Sequence, residues 1–382
     1  MRSLLAICLL GCGLTGGVAA PPRPPVLAHV MTWFEADAAT NRLGWHWTMG
    51  RDDLAPGRLA AHDAPLIGPY DSADRWVAEY QALTMKLAGI DGAIIDWYGP
   101  DGFPDYAAIH RGACAAIAEC KRAGMRFAIC FEDRAWRRRQ EVRRLSRAQT
   151  LAEGRAALDL LNGWLSDDAA LRVDGKPVLL LFGPMWMEPS EVREFRSALR
   201  PGALVYALPH LAPAAGIEGR FAWLPVAEGR RPDQPTWSGE LLAWQVGGAA
   251  AVAFPGYQDY YAEASQGPSY GFIPREAGRT MQASLDLALA RPAPFIQLAT
   301  WNDYGEGTAI EPSRRDGFTA LETVQRRLRP GLGGEALRLP ERLLALRRRH
   351  PVEAQPAILG RIAALLIAGE TAEAARLLET AR

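Results

Sequence analysis

The chain has 382 residues, 49% of them apolar and 12 of them Trp, enough for one large domain or two ordinary ones. Lys+Arg and Asp+Glu number 43 each, so the formal net charge is zero and composition makes no electrostatic case for a nucleic-acid partner.

The first twenty residues, "MRSLLAICLLGCGLTGGVAA", place one Arg before an apolar run and end in small residues, with Val18-Ala19-Ala20 fitting a small-x-small cleavage site. This predicts a signal peptide over 1–20, removed after Ala20, and a periplasmic or secreted protein. The run is too short to span a bilayer, so no stable membrane insertion is expected. "LLGC" ending at Cys12 offers lipid attachment as the alternative. Of the five Cys, Cys8 and Cys12 leave with the leader. Cys114, Cys120 and Cys130 match no metal-site spacing and are expected to be small buried hydrophobes, with no metal or other cofactor.

Eight short apolar runs follow, at 25–34, 90–99, 125–133, 177–184, 203–210, 220–226, 250–257 and 294–302. Between them lie helical patterns such as 75–89 and 108–124, both stopped by Gly. Strands that read as continuous apolar runs suit a parallel sheet buried on both faces. Eight of them with helical crossovers predict a (β/α)₈ TIM barrel over 21–334. An open doubly wound sheet is the rival, but no Gly-rich phosphate loop follows the first strand. From 335 to 382 the pattern is helical and predicts a small C-terminal extension, packed on the barrel's flank or forming a terminal appendage.

In such a barrel the active site is built at the C-terminal ends of the strands. These ends deliver Trp33 and Glu35; Asp96, Trp97 and Tyr98; Glu132 and Asp133; His210; Tyr257 and Asp259; and Trp301, Asn302, Asp303 and Glu306. The loop after the first strand adds Trp45, His46 and Trp47, as a sugar-contacting lid or as the apolar staple of a long loop. Carboxylates and aromatic rings converge here while Lys is absent and Arg sparse. That mixture suits a neutral, polyhydroxylated ligand: rings pack on the C–H face of a sugar and carboxylates accept from its hydroxyls. Two carboxylates near one glycosidic oxygen are the minimal machinery for glycoside cleavage, one protonated as acid, the other acting as base or nucleophile. Asp303 and Glu306 are the candidates, with Gly305 expected to supply the turn that lets both face one cavity.

"WNDYGEGTAIEP" (301–312) resembles the last-strand signature of glycoside hydrolase families 71 and 99, and "MKLAGIDGAIIDWYG" (85–99) resembles the second-strand region of family 99. "HVMTWF" (29–34) looks like the family's first strand. The likeness spans roughly residues 26–320. It implies a (β/α)₈ hydrolase of α-linked glycans: endo-α-mannosidase chemistry with retention if family 99 is followed, α-1,3-glucanase chemistry with inversion if family 71 is. Asp303 stands where family 99 carries a Glu. The shorter acid could leave room for water, as inversion requires, with carboxyls about 6.5–9.5 Å apart rather than about 5 Å. The resemblance makes Glu306 the general acid and Asp303 the base, with Trp301 and Asn302 as support.

Trp33, Trp47, Asp96, Trp97, Tyr98, Glu132, His210 and Tyr257 complete the expected substrate contacts. Trp97 and Trp301 fit the core equally well, Glu132 a backbone-bonded buried acid, and His210 a satisfied polar residue. Tyr260 and Tyr261 are assigned no role. The expected partner is an oligo- or polysaccharide. A noncatalytic glycan-binding barrel is the alternative.

Overall fold

A computed structural model describes residues 23–381 except 38, 56–57, 101–104 and 210–216. The leader, its cleavage site, the Cys12 alternative and His210 lie outside the described residues. Eight strands form the barrel wall: Val26–Met31 (β1), Gly92–Trp97 (β2), Arg126–Phe131 (β3), Lys176–Leu181 (β4), Leu204–Ala207 (β5), Gly219–Arg220 (β6), Ala251–Ala253 (β7) and Ile296–Leu298 (β8). All pair in parallel, in the order β7-β8-β1-β2-β3-β4-β5-β6. A parallel bridge between Phe221 and Ala250 joins the two ends, with the Ala250 N–H donating to the Arg220 carbonyl at 2.8 Å. The (β/α)₈ expectation holds; seven of the eight apolar runs supply a strand, while β6 lies at the leading edge of its run and overlaps 220–226 only at Arg220.

Side-chain direction alternates along each strand. Leu27, Ile94, Cys130, Leu180, Tyr206 and Phe295 meet in the barrel interior. Val26, Ala28, Ile95, Trp97, Phe131 and Leu179 face outward into a larger core shared with the helices. The helices between and after the strands include Arg75–Leu87 (α1), Tyr106–Arg122 (α2), Arg134–Arg143 (α3), Arg155–Leu165 (α4), Pro189–Ala198 (α5), Gln234–Trp244 (α6), Arg279–Leu289 (α7) and Thr319–Leu328 (α8). Asp74 starts α1 by accepting the Trp76 N–H at 2.8 Å, the usual cap for an otherwise unpaired donor. Gly89 and Gly124 stop α1 and α2 at φ of 83° and 65°.

Leu339–Arg347 (α9), Ala357–Ala368 (α10) and Thr371–Thr380 (α11) pack against one another, and α9 and α10 lie on α1. The contact is fastened by a buried ion pair: Arg347 donates to Glu79 at 2.9 and 3.0 Å, and Arg122 of α2 donates to the same carboxylate at 2.7 Å. Arg347 also lies over the Trp76 ring, 4.1 Å from its centroid. No helix among the described residues is long and apolar enough to cross a membrane.

Candidate active site

Past Leu298 the chain continues β8's pairing, with the Trp301 N–H donating to the His29 carbonyl at 2.7 Å, and then folds into the loop that carries the two acids. The loop is held from within. Thr300 and Thr308 pair through their hydroxyls at 2.9 Å, and the Asp303 N–H donates to Thr300 Oγ1 at 2.8 Å. It is also held from outside, where the Gln258 and Tyr260 N–H groups donate to the carbonyls of Glu306 and Gly305 at 3.0 and 2.9 Å. Gly307, at φ 65°, makes the tight turn expected of Gly305; a Cβ there would stand 2.5 Å from the Gln258 carbonyl oxygen. Gly305 has no positive φ; a Cβ there would come to 2.8 Å from Met49 Cε, the flexible end of a side chain that can shift aside.

Asp303 and Glu306 both line a cavity of about 610 Å³ at the C-terminal mouth of the barrel. His29 and Met31 of β1 and Asp96 of β2 form part of its lining, with Trp33, Tyr98, Glu132 and Tyr257 around them. With Trp45 and His46 of the first loop, nine of the residues singled out in the sequence thus share one cavity. The Glu306 N–H donates to Asp303 Oδ1 at 2.8 Å, and Tyr261 donates its hydroxyl to Glu306 Oε1 at 3.0 Å. Tyr261 comes from an excursion after β7, where Tyr257–Gln258 pairs antiparallel with Phe272–Ile273. Asp259 braces that excursion by accepting from Ser269 Oγ at 3.0 Å and the Tyr270 N–H at 2.8 Å.

Burial dominates the acidity of the pair. It pushes the Asp303 carboxyl up to about 7, helped by the charge of Asp96 and opposed by the N–H groups of Glu306 and Gly305. It pushes Glu306 up to about 8, reinforced by Asp303 and Asp259 and opposed by the Tyr261 hydroxyl and Arg134. Glu132 is raised well above the usual carboxylate range by burial and by Asp96, against Arg134 and the Tyr98 hydroxyl at 3.4 Å. Two buried polar atoms in the cavity residues lack a hydrogen-bond partner among the described residues, Asp96 Oδ2 and the Tyr257 hydroxyl. Donors and acceptors of this kind are available to a polyhydroxylated ligand.

Four expected contacts do not line the cavity. Trp97 follows Asp96 on β2; because neighbours on a strand point to opposite faces, Asp96 turns inward and Trp97 outward onto Trp164, ring centroids 4.9 Å apart. Trp301 joins the same outer core. Trp47 is buried against Phe34, Tyr70 and Tyr304, its Nε1–H donating to the Tyr70 carbonyl at 3.0 Å. Asn302 acts as a backbone mimic, accepting the Met31 N–H at 2.8 Å and donating to the Met31 carbonyl and the Tyr70 hydroxyl, each at 2.9 Å. Asp133, also at a strand end, collects the N–H groups of Met185, Trp186 and Met187 and so holds the loop after β4. Tyr70, Gln81 and Tyr304 all donate to the buried Glu311.

His29, Arg134, Trp223 and Tyr261 line the cavity without having been singled out. Alternation along β1 carried the signal for His29, two residues from Leu27 and Met31. His29, Asp96 and Cys130 place ligand-type atoms within 4.8 Å of one another at the barrel floor, the one grouping among the described residues with the donor set for a metal ion. Burial beside Asp96 and Glu132 pushes the Cys130 thiol well up.

No protein-family model and no curated protein matches the chain. Solved structures do. A GH99 endo-alpha-mannosidase from Bacteroides thetaiotaomicron, in complex with BIS-TRIS-propane, superposes with a TM-score of 0.59 at 17% identity, covering 80% of this chain and 98% of that one. A second structure of that enzyme gives 0.56 at 16%, with the same coverage. A glycoside hydrolase-like protein gives 0.55 at 11%, covering 86% of this chain and 97% of its own. At these identities the likeness carries the fold: the chain has a GH99-like (β/α)₈ barrel.

Proposed function

We propose that the protein is an exported glycoside hydrolase that cleaves α-linked glycans of the α-mannan or α-glucan type, with Glu306 as general acid and Asp303 as base. The observation that carries the reading is the placement of both carboxyls in one aromatic-walled cavity whose burial raises both. A pair raised in this way holds one proton between its two carboxyls near neutral pH; the reading gives it to Glu306, to donate to the glycosidic oxygen, and leaves Asp303 ionised, to take a proton from the attacking hydroxyl. Trp33 and Tyr98 offer ring faces to the sugar, and Asp96, Glu132 and the Tyr257 hydroxyl face its polar groups. The GH99-like fold supports the reaction class, and the first twenty residues support export.

The test is a screen of the purified protein against α-mannan, α-1,3-glucan and related glycans for release of reducing sugar. Glu306→Gln is expected to lower kcat by about a thousandfold while sugar binding is kept. Binding without cleavage by the unmodified protein across the whole panel would sink the catalytic reading. Mass analysis of the mature chain, expected to begin at Pro21, tests export.

A further inference from the structure

The cavity that holds the acid pair does not end at Trp45 and Tyr98. A second lobe of about 1070 Å³ continues over the start of α3 and shares Trp45, His46, Tyr98, Arg134 and Gln266 with the first. The two lobes differ in charge. The first is lined by Asp96, Glu132, Asp303 and Glu306 with Arg134 at its edge, whereas the second carries Arg134, Arg137 and Arg138.

The carboxylates of the second lobe, Asp105 and Glu141, are already engaged. Asp105 lies 3.2 Å from His46 Nε2, and Glu141 accepts from Arg137 Nε at 3.1 Å. Arg134 and Arg138 are exposed and form no ion pair among the described residues; Arg134 donates to the sulfur of Met185 at 3.5 Å, and its charge also acts on Glu132 and Glu306 across the first lobe. Among the described residues the arginines of this lobe outnumber its carboxylates, three to two, and Arg138 faces it with no carboxylate partner. The lobe sits beside one exposed aromatic surface, Trp45, 47% exposed, and over the buried Tyr106, which stacks on Tyr98 with ring planes 8° apart. A guanidinium presents a planar fork that matches two oxygens of a carboxylate, sulfate or phosphate group, and two forks on one helix turn suit such a group better than a neutral hydroxyl.

We propose that this second lobe is a subsite for an anionic substituent of the glycan, a uronate carboxylate or a sulfate or phosphate ester, one or more sugar units from the acid pair. The proposal rests on the hydrolase reading of the first lobe. It narrows the neutral-ligand expectation drawn from composition to the unit that is cleaved. A run of "RAWRRR" at the start of α3 carries the signal in the sequence, one residue beyond the strand end where Arg was counted as sparse.

The test is calorimetric titration of full-length mature Glu306→Gln protein with a neutral α-linked oligosaccharide and with its uronate-, sulfate- and phosphate-bearing counterparts. At least one charged ligand is expected to bind about tenfold or more tightly than the neutral parent at low salt. That advantage should shrink as ionic strength rises. In the Arg134→Ala, Arg138→Ala double variant the charged ligand should fall to the affinity the neutral parent has for the unsubstituted protein. Arg138→Ala alone, on an exposed helix surface, serves if the double variant fails to fold.

Equal affinity for neutral and all three charged ligands, an anionic preference that survives loss of both arginines, or no binding of any ligand overturns the proposal. Hydrolysis assays on the unmodified protein separate the two readings. Cleavage of neutral glycans without anionic preference overturns only the subsite. Anionic preference in binding with no cleavage of any ligand overturns only the catalysis.

Discussion

The Glu306 N–H donates to Asp303 Oδ1 at 2.8 Å, so the backbone of one acid fixes the carboxylate of the other. One oxygen of Asp303 is thereby committed, and the geometry of the pair is set by the three-residue spacing itself. The loop can hold this arrangement because Thr300, Thr308, Gln258 and Tyr260 take up its remaining backbone groups. Such preorganisation matters because the productive geometry of an acid–base pair tolerates little displacement.

The first prediction concerns pH. In the proposed mechanism Asp303 works ionised, hence above its raised value of about 7, and Glu306 works protonated, hence below about 8. The pair titrates as a unit, and kcat/KM should follow a narrow bell with its maximum between those values. An activity maximum near pH 4–5, where ordinary carboxylates titrate, would contradict the burial argument.

Two substitutions should move the limbs of that bell in opposite directions. The Tyr261 hydroxyl stabilises ionised Glu306, so Tyr261→Phe raises the acid's pKa and moves the alkaline limb to higher pH. The charge of Asp96 holds Asp303 up, so Asp96→Asn lowers the base's pKa and moves the acidic limb to lower pH. Profiles of kcat/KM for both variants read this directly. A common shift of both limbs, or none, would remove these residues from the electrostatics of the pair.

The eight strands were legible because parallel strands buried on both faces leave long apolar runs between helical patterns. The shared cavity of Asp303 and Glu306 was legible because the C-terminal strand ends of a barrel open onto one mouth. Side-chain direction was legible too but went unread: Asp96 and Trp97 are neighbours on β2, and both cannot face the interior. Tyr261 carried no comparable signal. It reaches Glu306 only because the chain leaves β7, turns back and pairs Tyr257–Gln258 with Phe272–Ile273, a long-range event with no local periodicity. Asn302 resembled a ligand contact by position, whereas its amide is spent on the backbone of Met31.

Placement separates two tryptophans that the sequence treats alike. Trp33 lines the cavity and stacks on His46 with ring centroids 4.4 Å apart, while Trp97 is fully buried outside the barrel wall. Trp97→Ala should cost about 3–5 kcal/mol of stability through the cavity it leaves. Trp33→Ala should leave the unfolding midpoint near that of the parent and raise KM several-fold. Denaturant unfolding and steady-state kinetics on both variants check this, and a reversed pattern would put the substrate on the wrong side of β2.

The last prediction tests how the C-terminal helices belong to the barrel. Glu79 of α1 is shared by Arg347 of α9 and Arg122 of α2, and the Glu79–Arg347 contact is almost wholly shielded from water. Removing one partner of a buried pair leaves the other charge unsolvated, so Glu79→Gln should destabilise by about 3–5 kcal/mol. Arg347→Met should cost less, because Met fills part of the space over Trp76 and Arg122 still neutralises Glu79. Combining Glu79→Met with Arg347→Met replaces the pair by apolar volume and should recover much of the loss. Equilibrium unfolding in urea measures all three. A single transition that moves with each substitution means the extension and barrel unfold together; a separate early transition, with the main one unmoved, would show that α9–α11 are only loosely attached to α1.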